Sequence, residues 1–401
     1  VLFSQDEYQA YQERLLKTKR EMEKAGIEVL LINNPSNMYY LTGYDAWSFY
    51  VEQMVIVALK WEQPVWLGRQ MDAAGARMTT WISHENIIGY PDDYVQSLTK
   101  HPMMFAADYL TEHGLDTAHV GLEMDAYFFS AYAYETLKTH LPNVQFKHAG
   151  LLVNKLRMIK SDYEIEHMKK AGRIVENAMY QAEQAIYPGA RQCDAAAQIY
   201  SGLISGTPEY GGDYPAIVPM LPTGERTAAP HLTWSDQPFK DGELVIVEMA
   251  GCYKRYHAPL ARTLSLGKPN ERMVELSKIV VEGLNEALDA VKPGVTCAEV
   301  EAAWRKATSR YGIEKESRLG YSTGLSYPPD WGEHTASLRP GDQTVLQPNM
   351  TFHMIPALWF DYEGIEISET FRVTETGHEV LSNYTRDLII KGDLDVTPVI
   401  S

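Results

Sequence analysis

Val245-Ile246-Val247-Glu248-Met249-Ala250-Gly251, followed after a short break by Tyr256-His257-Ala258-Pro259-Leu260-Ala261-Arg262-Thr263, is where the chain shows its fold. The apolar run ending in one carboxylate predicts a buried strand whose last polar residue leaves the core and enters a cleft. A carboxylate among so many aliphatic neighbours must be paired or put to chemical use, because burying it alone is costly. Arg262 is the structural partner the segment itself offers. A nucleophile or an anchor for a cation is the functional reading of Glu248.

Working outward, an internal repetition flanks this segment. A helical pattern runs from about 162 to 186, ends at Pro188-Gly189, and is followed by a second helix over 192–204. The same order recurs as 271–290, Pro293-Gly294, and 297–310. Ser161 with Glu164 has the spacing of a capping box. Each copy leads into strand-rich sequence, so a pseudo-twofold domain with its site between the halves is expected.

The amino-terminal part alternates differently. Residues 7–25 read as an amphipathic helix with Tyr8, Tyr11, Leu15 and Met22 on one side. Val29–Ile32 reads as a buried strand, and Asn33-Asn34-Pro35-Ser36-Asn37 as a turn. Strands near 54–59, 64–67, 87–89 and 120–123, with helices near 71–77 and 102–111, predict an α/β domain. The composition changes around 154–161, which sets expected domains at 1–155 and 156–401.

Bulk properties narrow the function. The 401 residues are 45% apolar and 22% charged, as in a folded enzyme, and suffice for two cores. A net charge of -17 argues against nucleic acid as partner. Cys193, Cys252 and Cys297 are too widely spaced for a disulfide framework or a thiolate metal cluster. No apolar run is long enough to cross a bilayer, and Val1-Leu2-Phe3-Ser4 does not open a signal peptide, so no membrane association and a cytoplasmic location are expected.

The 245–263 segment resembles the metal-binding signature of the creatinase, aminopeptidase P and methionine aminopeptidase superfamily. Val345–Phe352 and Gly364–Thr374 resemble its closing strands, and the first domain resembles the creatinase and prolidase amino-terminal domain. The resemblance implies an α/β chain ending in a pita-bread catalytic domain. It also implies metal ligands at positions occupied here by Glu248, Pro259, Tyr321, Ile355 and Ser368. Proline and isoleucine cannot ligate, and tyrosine and serine are poor ligands for such metals. No metal and no other cofactor are therefore expected.

Loss of the metal removes its hydroxide nucleophile. The remaining pattern is similar to that of ectoine hydrolases, creatinase-like enzymes of compatible-solute breakdown. It is carried by Glu248, Arg255-Tyr256-His257, Arg262-Thr263, Trp359 and Glu366-Ile367-Ser368-Glu369. Creatinase itself fits less well, since Ala261 stands where it carries a glutamate. The substrate implied is a small zwitterion whose cyclic amidinium carbon is electrophilic without a metal. Glu248, His231 and Glu366 are the expected catalytic residues. Tyr321, His353, His257, Tyr256, Trp359, His334 and Trp47 are the expected substrate-binding residues. For Trp47 the resemblance implies a homodimer whose amino-terminal domain reaches the partner's site. Competing readings are a dimethylsulfoniopropionate-cleaving or other creatinase-like enzyme, an Xaa-Pro peptidase, and a non-catalytic binding protein.

Overall fold

The computed structural model describes residues 3–392. The opening Val1-Leu2, part of the stretch read against a signal peptide, and residues 393–401 lie outside the described residues. The chain divides into two compact units between Arg157 and Met158. Among the described residues, no helix is long and apolar enough to cross a membrane.

The first unit is built on a six-stranded mixed sheet. Its spatial order is Ile87–Tyr90, Val65–Arg69, Met54–Ala58, Val29–Ile32, His119–Leu122, Gln145–His148. Strand alternation sends Leu30, Ile32, Val55, Val57 and Trp66 to one apolar cluster. Val29, Leu31, Met54, Ile56 and Leu67 go to another. The central strands are buried on both faces, which is why they read as unbroken aliphatic runs. The expected turn at Asn33–Asn37 is instead the start of a helix, Pro35–Thr42. The Asn34 side chain caps it by accepting from the Ser36 N–H, and Pro35 sits at the first helical position.

The second unit carries the predicted repetition as two helix pairs: Asp162–Ala185 with Gln192–Ser205, and Glu271–Ala290 with Cys297–Ser309. Ser161 and Glu164 form a capping box on the first pair, and Thr296 and Glu299 form one on the second. Both Pro-Gly connections place glycine at positive φ, 91° at Gly189 and 90° at Gly294, where a side chain would be strained. Each pair supplies a core. The first packs Ile174, Val175 and Ile199 against Val245, Val247, Met249, Leu260 and Leu264. The second packs Leu284, Val300 and Trp304 with Phe352, Ile365 and Phe371.

Leu244–Tyr253 and Tyr256–Leu266 form a long antiparallel hairpin, with Ile389–Lys391 added in parallel. A five-stranded antiparallel sheet runs Gly332–Leu338, Gly320–Thr323, Thr351–Met354, Glu369–Val373, His378–Val380. A two-stranded ribbon pairs Ala357–Trp359 with Gly364–Glu366. The closing segment expected as one strand is thus broken at Ile367-Ser368. There the backbone turns to the hairpin: the Ser368 N–H donates to the Ala261 carbonyl (3.1 Å), and the Ala261 N–H donates to Ser368 Oγ (2.7 Å).

Arg262 fixes the same junction from within the core. Its guanidinium pairs with Glu369 (2.7 Å) and donates to the carbonyls of Ser368 (2.6 Å) and Tyr384 (3.0 Å). Arg262 therefore does not neutralise Glu248. Its role is to hold the break that separates Glu366 from Glu369.

Candidate active site

Because the odd residues of Leu244–Tyr253 enter the helix-packed core, Glu248 and Ala250 share the opposite face. Their cross-strand partners are Ala261 and Pro259, which share that face. These small or flat neighbours leave space above Glu248. The space is a cavity of about 350 Å³. Its wall includes the expected Glu248, Glu366, His231, Tyr321, Trp359 and Ile355. It also includes Lys315, Ser317, Arg318, Asp330 and Trp331, which sequence reasoning missed, with Ile217, Met220 and Pro230 completing it.

Three backbone ties bring the expected catalytic residues together. Glu248 exchanges both main-chain hydrogen bonds with Met220 (2.8 and 3.1 Å). The loop after Met220 carries the short helical turn Gly224–Ala228 and then His231. Thr227 accepts from the Gly364 N–H (3.1 Å), which ties that turn to the strand bearing Glu366. A Cβ at Gly364 would lie 2.2 Å from the Thr227 carbonyl oxygen, so glycine is needed for this approach. The Glu366 main chain is fixed in turn by Thr263, whose hydroxyl accepts from the Glu366 N–H (2.9 Å) and donates to its carbonyl (2.9 Å). Ile365 and Ile367 point into the second core, leaving Glu366 to the cavity.

The electrostatics follow from burial. Glu248 is 7% exposed and Glu366 1% exposed. Desolvation raises the Glu248 carboxyl to about 7. Desolvation also raises Glu366 well above the ordinary carboxylate range, the nearby Glu248 charge raises it further, and Lys315 opposes this. Burial lowers the Lys315 ammonium to about 8, against the attraction of Glu366. One oxygen of Glu366, Oε1, is buried with no hydrogen-bond partner among the described residues. A buried orphan acceptor at a cavity wall is a place for a ligand's N–H.

Several expected substrate-binding residues lie behind the wall. His353 is fully buried between Tyr321 and Ser368: the Trp331 indole N–H donates to the Tyr321 oxygen (2.7 Å), and the Tyr321 hydroxyl meets His353 Nδ1 (3.0 Å). His353 Nε2 lies 2.7 Å from Ser368 Oγ. Desolvation, helped by Arg318, lowers this imidazole to about 3. A neutral ring accepting from the Tyr321 hydroxyl at Nδ1 and donating from Nε2 to Ser368 Oγ links the two side chains. His353 thus positions Tyr321 and does not face the cavity.

His257 is likewise internal. Its Nε2 accepts from the Ala216 N–H (2.9 Å) and its Nδ1 donates to the Arg255 carbonyl (2.9 Å), fixing the loop that carries Ile217. Burial, then Arg255, lower its pKa well below the usual histidine value. Tyr256 donates to Glu164 (2.7 Å), the residue that caps the first long helix. His334 pairs with Asp330 (2.6 Å), which lines the wall. Trp47 belongs to the first unit, where the residue is 58% exposed and its ring packs on Phe49 at 4.8 Å between centroids. Lys315 and Arg318 were missed because they lie in the irregular connection before Gly320–Thr323. Their closeness in sequence to Tyr321 was the available clue.

The amino-terminal region, residues 14–159, matches the Creatinase/Prolidase N-terminal domain. Residues 166–375 match Metallopeptidase family M24. The chain belongs to the M24 family. Within it, the chain is 48% identical over 396 residues to a protein from Halomonas elongata named ectoine hydrolase, covering 97% of this chain and 98% of that one. It is 29% identical over 258 residues to an Xaa-Pro dipeptidase of Pyrococcus horikoshii, covering 64% of this chain and 71% of that one. Among solved structures, the prolidase of Thermococcus sibiricus superposes with a TM-score of 0.83 at 22% identity, covering 95% and 99% of the two chains.

M24 membership by name implies a metal, so the donors here must be tested for fit. Pro259 and Ile355 offer no side-chain oxygen or nitrogen. The Tyr321 oxygen is engaged by Trp331 and His353, and Ser368 Oγ by His353 and the Ala261 N–H. Among the described residues, no group of three His, Cys, Asp or Glu side chains is arranged to hold a metal ion. The residues of this M24 site do not fit a dinuclear centre.

Proposed function

We propose that this chain is a hydrolase opening the cyclic amidine ring of ectoine to an N-acetyl-diaminobutyrate, without a metal. The observation that carries the reading is the pair Glu248 and Glu366: two buried carboxylates with raised pKa in one cavity, at the centre of an M24 fold whose ligand positions have been replaced. Close identity over nearly the whole chain to the Halomonas elongata protein supports the substrate. A cationic ring is favoured beside such a pair by Coulomb attraction, strengthened by the low local dielectric. Its N–H groups match the orphan Glu366 oxygen.

Ring opening adds one water across a C–N bond. The water oxygen becomes the amide oxygen, and both water protons end on the departing nitrogen as it becomes an ammonium. Glu248, ionised, drives the attack on the amidinium carbon, as base toward water or as nucleophile itself. Glu366, protonated, supplies the proton to the departing nitrogen. His231 lies at the exposed part of the wall and exchanges protons with solvent. Trp359 also lines the wall, its ring beneath the Lys315 ammonium. Incubation with ectoine, followed by proton NMR for a new acetamide methyl resonance, tests the reading. An unchanged ectoine spectrum refutes it.

The pH profile has a defined sign. Glu248 must be ionised, so kcat/KM should fall on the acid side of about pH 7, where its free-enzyme pKa lies. Glu366 must be protonated, so a second limb should appear at higher pH. A bound amidinium favours the charged form of Glu248. The acid limb of kcat should therefore lie at lower pH than that of kcat/KM. A flat kcat/KM between pH 5 and 8 would contradict the assignment.

We infer also that the protein works as a homodimer in which the exposed Trp47 segment covers the partner's cavity. Trp47→Ala should then raise the KM for ectoine about tenfold, in line with loss of a ring–cation contact, with dimers retained in sedimentation. A monomeric protein with an unchanged KM would end this part of the proposal.

A further inference from the structure

The two carboxylates account for only one half of a zwitterion, yet the same cavity carries cations. Lys315 and Arg318 both line it, three residues apart in the connection that precedes Gly320–Thr323. Lys315 Nζ donates to the carbonyl of Ala357 (3.0 Å) and to Ser317 Oγ (2.7 Å). Ala357 is the cross-strand partner of Glu366, so the ammonium is held beside the carboxylate pair by the ribbon that carries it. An ammonium has three N–H donors, and these two contacts use two of them.

Its neighbours extend the same character. The Lys315 ammonium lies 5.3 Å from the Trp359 ring centroid, and the Trp359 indole N–H is buried with no hydrogen-bond partner among the described residues. The Arg318 guanidinium stacks 4.4 Å over the Tyr321 ring and donates to Ser337 (3.1 Å). Its plane is thereby fixed against the residue that forms the adjoining wall.

Cations therefore stand among the carboxylates of this wall, Lys315 beside Glu366 and Arg318 near Asp330. We propose that Lys315, assisted by Arg318 and the Trp359 indole N–H, forms a carboxylate-binding subsite. It selects amidines that carry a carboxylate on the ring over amidines that do not. The proposal rests on the ectoine reading for the identity of the ring. The subsite itself would serve any small amidinium carboxylate. An ammonium on a desolvated wall recognises a carboxylate by a charge-assisted hydrogen bond. Its second function, holding the charge balance beside Glu366, acts equally on every amidine and so cancels in a comparison of two rings.

That cancellation defines the experiment. Ectoine and 2-methyl-1,4,5,6-tetrahydropyrimidine, the same ring without its carboxylate, are titrated calorimetrically into Glu248→Gln protein, in which ring opening is blocked. The titrations are repeated with Lys315→Gln, Lys315→Arg or Arg318→Gln added. Ectoine is expected to bind at least about tenfold more tightly than the bare ring, a difference of about 1.4 kcal/mol. Lys315→Gln should reduce that preference to below about threefold, Lys315→Arg should keep most of it, and Arg318→Gln should give an intermediate value. A preference that survives Lys315→Gln unchanged overturns the subsite. So does a Glu248→Gln protein that binds both rings equally or binds neither. Turnover by the wild-type protein is scored separately. Preference without turnover of ectoine defeats the hydrolase reading and leaves the subsite, whereas turnover without preference does the reverse.

Discussion

Glu248→Gln should abolish ring opening, lowering kcat by at least about 10³-fold, within the range that loss of a catalytic base or nucleophile produces. The same substitution should stabilise the fold at alkaline pH. Burial raises the Glu248 carboxyl from 4.5 to about 7. A carboxyl whose pKa is higher in the folded state holds its proton more tightly there. Folding is then penalised progressively as pH rises from the unfolded value through the folded one. Below about pH 4.5 both states are protonated and the penalty is absent; above about pH 7 it is complete, on the order of 3 kcal/mol. Glutamine carries no such penalty. Urea denaturation should therefore show little difference between the two proteins near pH 4.5 and a more stable variant at pH 8. An inactive variant that is less stable at pH 8 would mean that Glu248 supports the fold and not the reaction.

Glu366→Gln should lower kcat by about 10²- to 10³-fold, the usual cost of losing one proton donor. Its consequence for pH dependence is more specific than its size. The alkaline limb is assigned to ionisation of Glu366, and glutamine cannot ionise, so that limb should disappear while the acid limb from Glu248 persists. Binding of ectoine should fall less than kcat, because the glutamine amide can still occupy the Oε1 position. Initial rates across pH, with KM and kcat separated, check this. Retention of both limbs in Glu366→Gln would assign the alkaline ionisation to another group.

The framework was legible because local rules and packing agree in it. The capping box at Ser161 and Glu164, the paired Pro-Gly connections and the unbroken aliphatic strands each follow from short-range chemistry that the tertiary structure does not override. Asn34-Pro35 misled because a helix start and a turn share the same residues; the helix wins where Asn34 finds the Ser36 N–H. In the cavity, Glu248 and Glu366 could be placed because strand alternation decides their face. His353 could not. It is the direct cross-strand partner of Tyr321 and shares its face, yet the Tyr321 ring stands between it and the cavity. Alternation puts His257, the partner of Cys252, on the face of Glu248, yet it and Tyr256 are consumed by internal hydrogen bonds. Lys315 and Arg318 lie in a segment without periodicity, so only the folded chain shows that they join the two carboxylates.

The replacement of ligands at Pro259 and Ile355, and the engagement of Tyr321 and Ser368 by His353, point to hydrolysis without a metal. It is tested most directly by exhaustively chelating the purified protein, verifying by elemental analysis that it is free of metal, and measuring ectoine ring opening by NMR. The rate should stay within about twofold of the untreated enzyme, since no metal-bound hydroxide is required, and no Xaa-Pro dipeptide should be cleaved when manganese is added. Ring opening that is lost on chelation and returns only with manganese would contradict it, as would dipeptide cleavage with ectoine left intact.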